Sequence, residues 1–76
     1  MKTYEYSVYD GSYENIAGII VDSVSIPSNE VLKGELTRAL SIHNPTDCLI
    51  RLEYINGEDV LGSFPLFNPI TGKEDF

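Results

Sequence analysis

The sequence predicts an all-β fold, a small antiparallel sandwich or partly open barrel with a C-terminal three-stranded meander. Three observations carry this. Thr3 to Tyr9 alternates with a period of two. The turn signals Asn44-Pro45-Thr46-Asp47 and Asn56-Gly57 cut the stretch from Leu36 to Phe67 into strand-length pieces. The pieces flanking the first turn also pair with complementary charge, Arg38 falling opposite Glu53.

Taken in order, Tyr4, Tyr6 and Val8 point one way in the first strand and Thr3, Glu5 and Ser7 the other, the mark of a half-buried strand. Asp10-Gly11-Ser12 ends it as a turn. Ile16 to Ile26 reads as one long or two short strands, and Gly18 within it marks a bulge or a close backbone approach. Residues 28–43 admit two readings. In the first, Ser28 caps a helix with Glu30 in its first turn and Leu32, Leu36, Ala39 and Leu40 as its stripe, giving an α+β ββαββ order. In the second, preferred reading, Pro27 to Gly34 is a loop and Glu35 to His43 a strand. Gly34 would cost a helix about 1 kcal/mol, and Thr37, Ser41, Ile42 and His43 are indifferent helix formers.

The Asn56-Gly57 hairpin has two possible registers. A two-residue turn sets Ile55 opposite Glu58. A three-residue loop bulged at Gly57 sets Leu52 opposite Val60 and gathers Ile50, Leu52, Tyr54, Val60 and Phe64 on one face, which favours it. Leu36, Leu40, Ile42, Leu49, Ile55 and Leu61 then occupy the other face, around Arg38 and Glu53. The N-terminal strands cover one face, and the second, around Leu40, Ile42 and Leu61, calls for a partner. The tail from Asn68 to Phe76 is turn-rich.

Composition bounds the function. The 76 residues make a single domain, 1–76. A domain of this size buries only about 60% of its unfolded surface, so assembly with other chains is expected to support it. One cysteine, Cys48, allows no internal disulfide, and one histidine, His43, leaves no His/Cys cluster for zinc. Twelve acids against five bases give a net charge of −7, which argues against direct binding to nucleic acid or an anionic membrane. No apolar run reaches the length of a membrane span. The first residues do not read as a secretory signal, so the expected site of synthesis is a cytoplasm.

Candidate chemistry is sparse. His43 and Cys48 would face each other across the first hairpin, but no orienting group or oxyanion-hole glycine accompanies them. Thr71-Gly72-Lys73 lacks the rest of a P-loop. Asp10, Glu14 and Asp22 do not match a calcium loop. The acids are too dispersed for a nucleic-acid mimic, with Glu58-Asp59 and Glu74-Asp75 the only adjacent pairs. No catalytic, cofactor or metal site is expected. Tyr4, Tyr6, Tyr9 and Tyr13 crowd the first 13 residues and, with Leu40, Ile42 and Leu61, are the candidate protein interface.

Between Ser25 and Pro69 the sequence resembles small β-sandwich virion proteins of tailed phages. The matching pieces are Ser25-Ile26-Pro27, Leu40-Ser41-Ile42-His43-Asn44-Pro45-Thr46-Asp47, Leu49-Ile50-Arg51-Leu52 and Phe64-Pro65-Leu66-Phe67-Asn68-Pro69. The resemblance implies a non-enzymatic structural or accessory protein that docks on, or oligomerises within, a phage particle, made in the host cytoplasm and carried in the virion. The alternative is a small acidic inhibitor that binds and occludes a host defence or nucleic-acid-binding protein.

Overall fold

The computed structural model describes residues 1–41 and 47–75. The mainly-β antiparallel class expected from the sequence is the class observed. In chain order come β1 (Lys2–Tyr9), β2 (Asn15–Ser23), α1 (Asn29–Leu40), β3 (Leu49–Ile55), β4 (Glu58–Asp59), β5 (Leu66–Phe67) and β6 (Glu74–Asp75). They form one sheet in the order β2-β1-β3-β5-β6, with β4 also pairing β3. The N-terminal strands are therefore not a second layer over a meander. β1 lies between β2 and β3, and the second layer is helix α1.

The period of two in β1 decides this arrangement. Tyr4, Tyr6 and Val8 are buried while Thr3, Glu5, Ser7 and Tyr9 are half-buried on the other face. The register with β2 sets Tyr4 opposite Val21, Tyr6 opposite Ile19 and Val8 opposite Ala17, so the apolar members of both strands share one face. Asp10 ties the connecting turn, its carboxylate accepting the N–H groups of Ser12 at 2.8 Å and Glu14 at 3.0 Å.

Residues 29–40 follow the helical alternative, and the strand expected from Glu35 to His43 is replaced up to Leu40. Ser28 is the N-cap, its side chain accepting the Val31 N–H at 3.3 Å, and Glu30 and Arg38 complement the helix dipole at its two ends. Leu32 and Leu36 are fully buried in one cluster with Tyr4, Tyr6, Val8, Ile19, Cys48, Ile50 and Leu52, and Leu40 packs against it. Burying two leucines yields roughly 1.5–3 kcal/mol each, which outweighs the ~1 kcal/mol cost of a helical glycine. Gly34 sits on the exposed side with nothing within 4 Å of its would-be Cβ. Ser41, at φ 54°, ends the helix in the left-handed region. Ser28→Ala is expected to lower stability by about 1 kcal/mol, read as a shifted urea midpoint in the helical circular-dichroism signal.

The helix also dissolves the Arg38–Glu53 pair. Arg38 instead bonds Glu35 on its own helix at 2.9 Å, largely in solvent. The second hairpin takes the two-residue turn rather than the bulged loop: Asn56 and Gly57 have φ of 51° and 79°, and Ile55 faces Glu58. Both left-handed angles suit an Asn-Gly pair in a type I′ turn. Asn56 further fastens this turn to β1, its N–H donating to the Thr3 carbonyl and its Oδ1 accepting the Thr3 N–H, both at 2.8 Å.

After β4 the chain leaves the sheet and returns with Phe67 opposite Ile50. The turn-rich tail closes a short hairpin around Asn68, whose buried side chain accepts the N–H of Ile70 at 2.9 Å and of Thr71 at 3.3 Å. Among the described residues no helix is long and apolar enough to cross a membrane.

Candidate functional site: the open sheet face

Helix α1 covers one face of the sheet. The other is built by Thr3, Glu5, Ser7 and Tyr9 of β1, flanked by Ile16, Gly18, Ile20 and Asp22 of β2 and by Leu49, Arg51, Glu53 and Tyr54 of β3. Nothing among the described residues lies over it. Ile20 is 65% exposed, Ile16 44% and Tyr54 40%.

A bulge shapes the centre of this face. Glu5 pairs with Tyr54 and Tyr6 with Leu52, so Glu53 is the extra residue in β3. Its carboxylate turns over β1. Ser7 Oγ donates to Glu53 Oε1 at 2.8 Å and Tyr9 OH to Oε2 at 2.7 Å. Arg51 adds its Nε at 3.3 Å and Nη2 at 3.1 Å, and Nη2 also reaches the Tyr9 hydroxyl at 3.1 Å. The guanidinium stands 5.5 Å from the Tyr9 ring centroid, a cation–π contact. Burial alone would push the Glu53 carboxyl up; hydrogen bonds from Tyr9, Ser7 and Arg51 outweigh it and hold the group below its ordinary value. Beside this cluster, above Gly18, is a shallow depression of ≈ 290 Å³ bordered by Glu5, Ser7, Ile20, Glu53 and Tyr54.

A second cavity, of ≈ 260 Å³, opens between α1 and the C-terminal hairpin. It is lined by Ile26, Pro27, Leu32, Leu52, Phe64 and Phe67 with Tyr6 among them. Burial, and then Tyr4, push the Tyr6 phenol up to about 12, so it stays a neutral hydroxyl at physiological pH.

The residues singled out in the sequence are scattered. Tyr4 and Tyr6 are core residues, and Leu40 packs on the core from the helix. Tyr9 belongs to the polar cluster on the opposite side of β1, and Tyr13 is exposed in the β1–β2 turn. Leu61 is exposed just after β4. Ile42 lies outside the described residues, as does His43 of the possible dyad. Its other member, Cys48, is a buried thiol that burial, Asp47 and Asp10 all push above its ordinary value, the opposite of an activated nucleophile. Among the described residues no group of three or more His, Cys, Asp and Glu side chains is placed to hold a metal ion.

The sequence reading missed Ser7, Arg51 and Glu53. One signal was available: Arg51 and Glu53 stand two apart in a strand and therefore on one face. Compared with models of known protein families, with curated proteins and with solved structures, the chain finds no match.

Proposed function

We propose that this chain is a non-enzymatic accessory protein that docks onto a larger protein assembly through the open face of its sheet. The observation that carries this is a face where exposed Ile16, Ile20 and Tyr54 surround Tyr9 and Arg51, both already held by Glu53. Tyrosine and arginine are enriched among the residues that dominate binding energy. Side chains fixed before contact lose less rotamer entropy on binding. Two of the three carboxylates on this face are already engaged, Glu53 by Ser7, Tyr9 and Arg51 and Asp22 by the Thr3 hydroxyl at 2.7 Å, which leaves Glu5 as its free charge.

A tailed-phage particle, implied by the sequence resemblance, is the first assembly to try, although α1 stands where that resemblance expects a strand leading to Asn44-Pro45-Thr46. The experiment is co-sedimentation of the purified chain with particles made without it. Saturable binding is expected, abolished by Tyr54→Lys, a change in an exposed side chain that leaves the core alone. Equal binding by that variant would overturn docking through this face. The acidic-inhibitor alternative predicts instead one basic partner whose binding collapses between about 0.1 and 1 M salt, as the Debye length shrinks from about 10 to 3 Å.

A further inference from the structure

We infer that the free edge of β2 pairs antiparallel with β2 of a second copy of this chain, Gly18 of each lying opposite Ile20 of the other. This pairing uses the sheet's edge and the docking reading its face; Ile20 belongs to both, but dimerisation is measured with no partner present, so either can fail alone.

β2 ends the sheet on its side and is nine residues long. Its outward peptide groups follow from the ladder. Thr3 directs its N–H and C=O to Asn56, on the β3 side. By antiparallel alternation the peptide groups of Tyr4, Tyr6 and Val8 serve β2, and those of Val21, Ile19 and Ala17 point back at β1. Gly18, Ile20 and Asp22 are left facing outward. Proteins ordinarily guard such an edge with lysine, proline, a charge or a bulge. From Ala17 to Val21 there is none, the bulge at Ile16 and the carboxylate of Asp22 bounding the strip at its two ends, in a chain whose net charge is −7. Elsewhere two copies repel; this strip is where they need not.

Gly18 is the second observation. Glycine inside a strand costs about 0.5–1 kcal/mol relative to alanine, and this chain on its own has no need of it. Its φ is not positive. A Cβ built there would meet only the Tyr6 carbonyl oxygen, at an ordinary 3.7 Å. The absent side chain leaves the depression on the open face next to the edge.

Register then selects the occupant. Pairing about Ile19 matches the regular stretch of β2, Ala17 to Val21, with itself, and stops short of the bulge at Ile16. It sets Gly18 opposite Ile20 of the second copy twice over, so that each isoleucine lies beside the other chain's depression. It also sets Ala17 opposite Val21. A shift of two residues one way sets Gly18 against Gly18 and runs each Ile20 onto the bulged Ile16 of the other copy. The opposite shift sets Ile20 against Ile20 and leaves both depressions empty. Strand regularity and side-chain size thus agree on one register. Strand pairing alone forms a small interface, near the ~1,000 Å² lower bound for stable contacts, so the dimer dissociates on dilution.

Sedimentation across a concentration series tests this without any partner. The mass should rise from 8.5 kDa towards twice that value, and Ile20→Lys, at an exposed position, should remain a monomer throughout while melting like the parent. Register is tested by mixing Gly18→Cys and Ile20→Cys chains under oxidation, with buried Cys48 left in place. Directly opposed residues stand about 5.5 Å apart at Cα, within disulfide reach, so mixed disulfides should outrun those within either variant alone. A parent that stays monomeric, a dimer indifferent to Ile20→Lys, or disulfides forming equally in the unmixed variants would each overturn the proposal.

Discussion

Leu36→Ala is expected to cost about 3–4 kcal/mol, within the range for emptying a fully buried leucine site. Leu36 has no exposed surface and sits between Leu32 and Leu40 on the helix stripe that seals the core over Tyr6, Ile50 and Leu52. Domains hold roughly 0.05–0.15 kcal/mol of stability per residue, so at this chain length the loss removes a large share of the total. Urea unfolding followed by circular dichroism should show a far lower midpoint, or no folded baseline at all. Arg38→Ala on the same helix is the control. Arg38 is largely solvated and its bond to Glu35 is an exposed helix pair, so the change should stay within about 0.5 kcal/mol. A Leu36→Ala cost below 1 kcal/mol would mean that the helix does not form the second layer.

Glu53→Ala carries the next largest effect, about 2 kcal/mol at neutral pH, because it orphans donors on Ser7, Tyr9 and Arg51 together. Glu53→Gln should cost less and reports on pH. The folded Glu53 carboxyl lies below its ordinary value of 4.5. A depressed acid contributes stability that is fully present above the unfolded pKa and is lost as pH falls through the folded one. The parent protein should therefore weaken progressively below about pH 4.5. Glu53→Gln should be less stable than the parent at pH 7 and lose less on acidification. The gap between the two urea midpoints must narrow from pH 7 to pH 3; a constant gap would sink the assignment.

What could be read in the chain was local. The alternation of Tyr4, Tyr6 and Val8, the break at Asp10-Gly11-Ser12 and the reversal at Asn56-Gly57 are dictated by side-chain period and turn chemistry, and each stands where expected. The helix was not decidable there. Leu32, Leu36 and Leu40 have helical spacing, yet Gly34 and Thr37 weaken it, and the tie is broken by a sheet face that needs a cover. The two-residue strands β5 and β6 exist because Phe67 meets Ile50 and Glu74 meets Phe67, not through any propensity of their own. The polar cluster was hidden for the same reason. Glu53 meets Ser7 and Tyr9 only because β1, more than 40 residues earlier in the chain, lies beside β3 with a bulge. No short-range pattern carries that neighbourhood.

The two ends of the sheet are unequal: β2 offers nine residues, while β6 offers two and follows a turn opened by Pro69. Fibres need a joinable edge at both ends of every building block, and this block has one. Once β2 is taken, no comparable edge remains among the described residues. With β2 paired as proposed, growth should stop at a dimer whose two-fold axis stands normal to the sheet, both uncovered faces turned to the same side. Crowding should then concentrate pairs rather than seed filaments, despite a stretch, Ala17 to Val21, with the apolar, uncharged character of an aggregating segment.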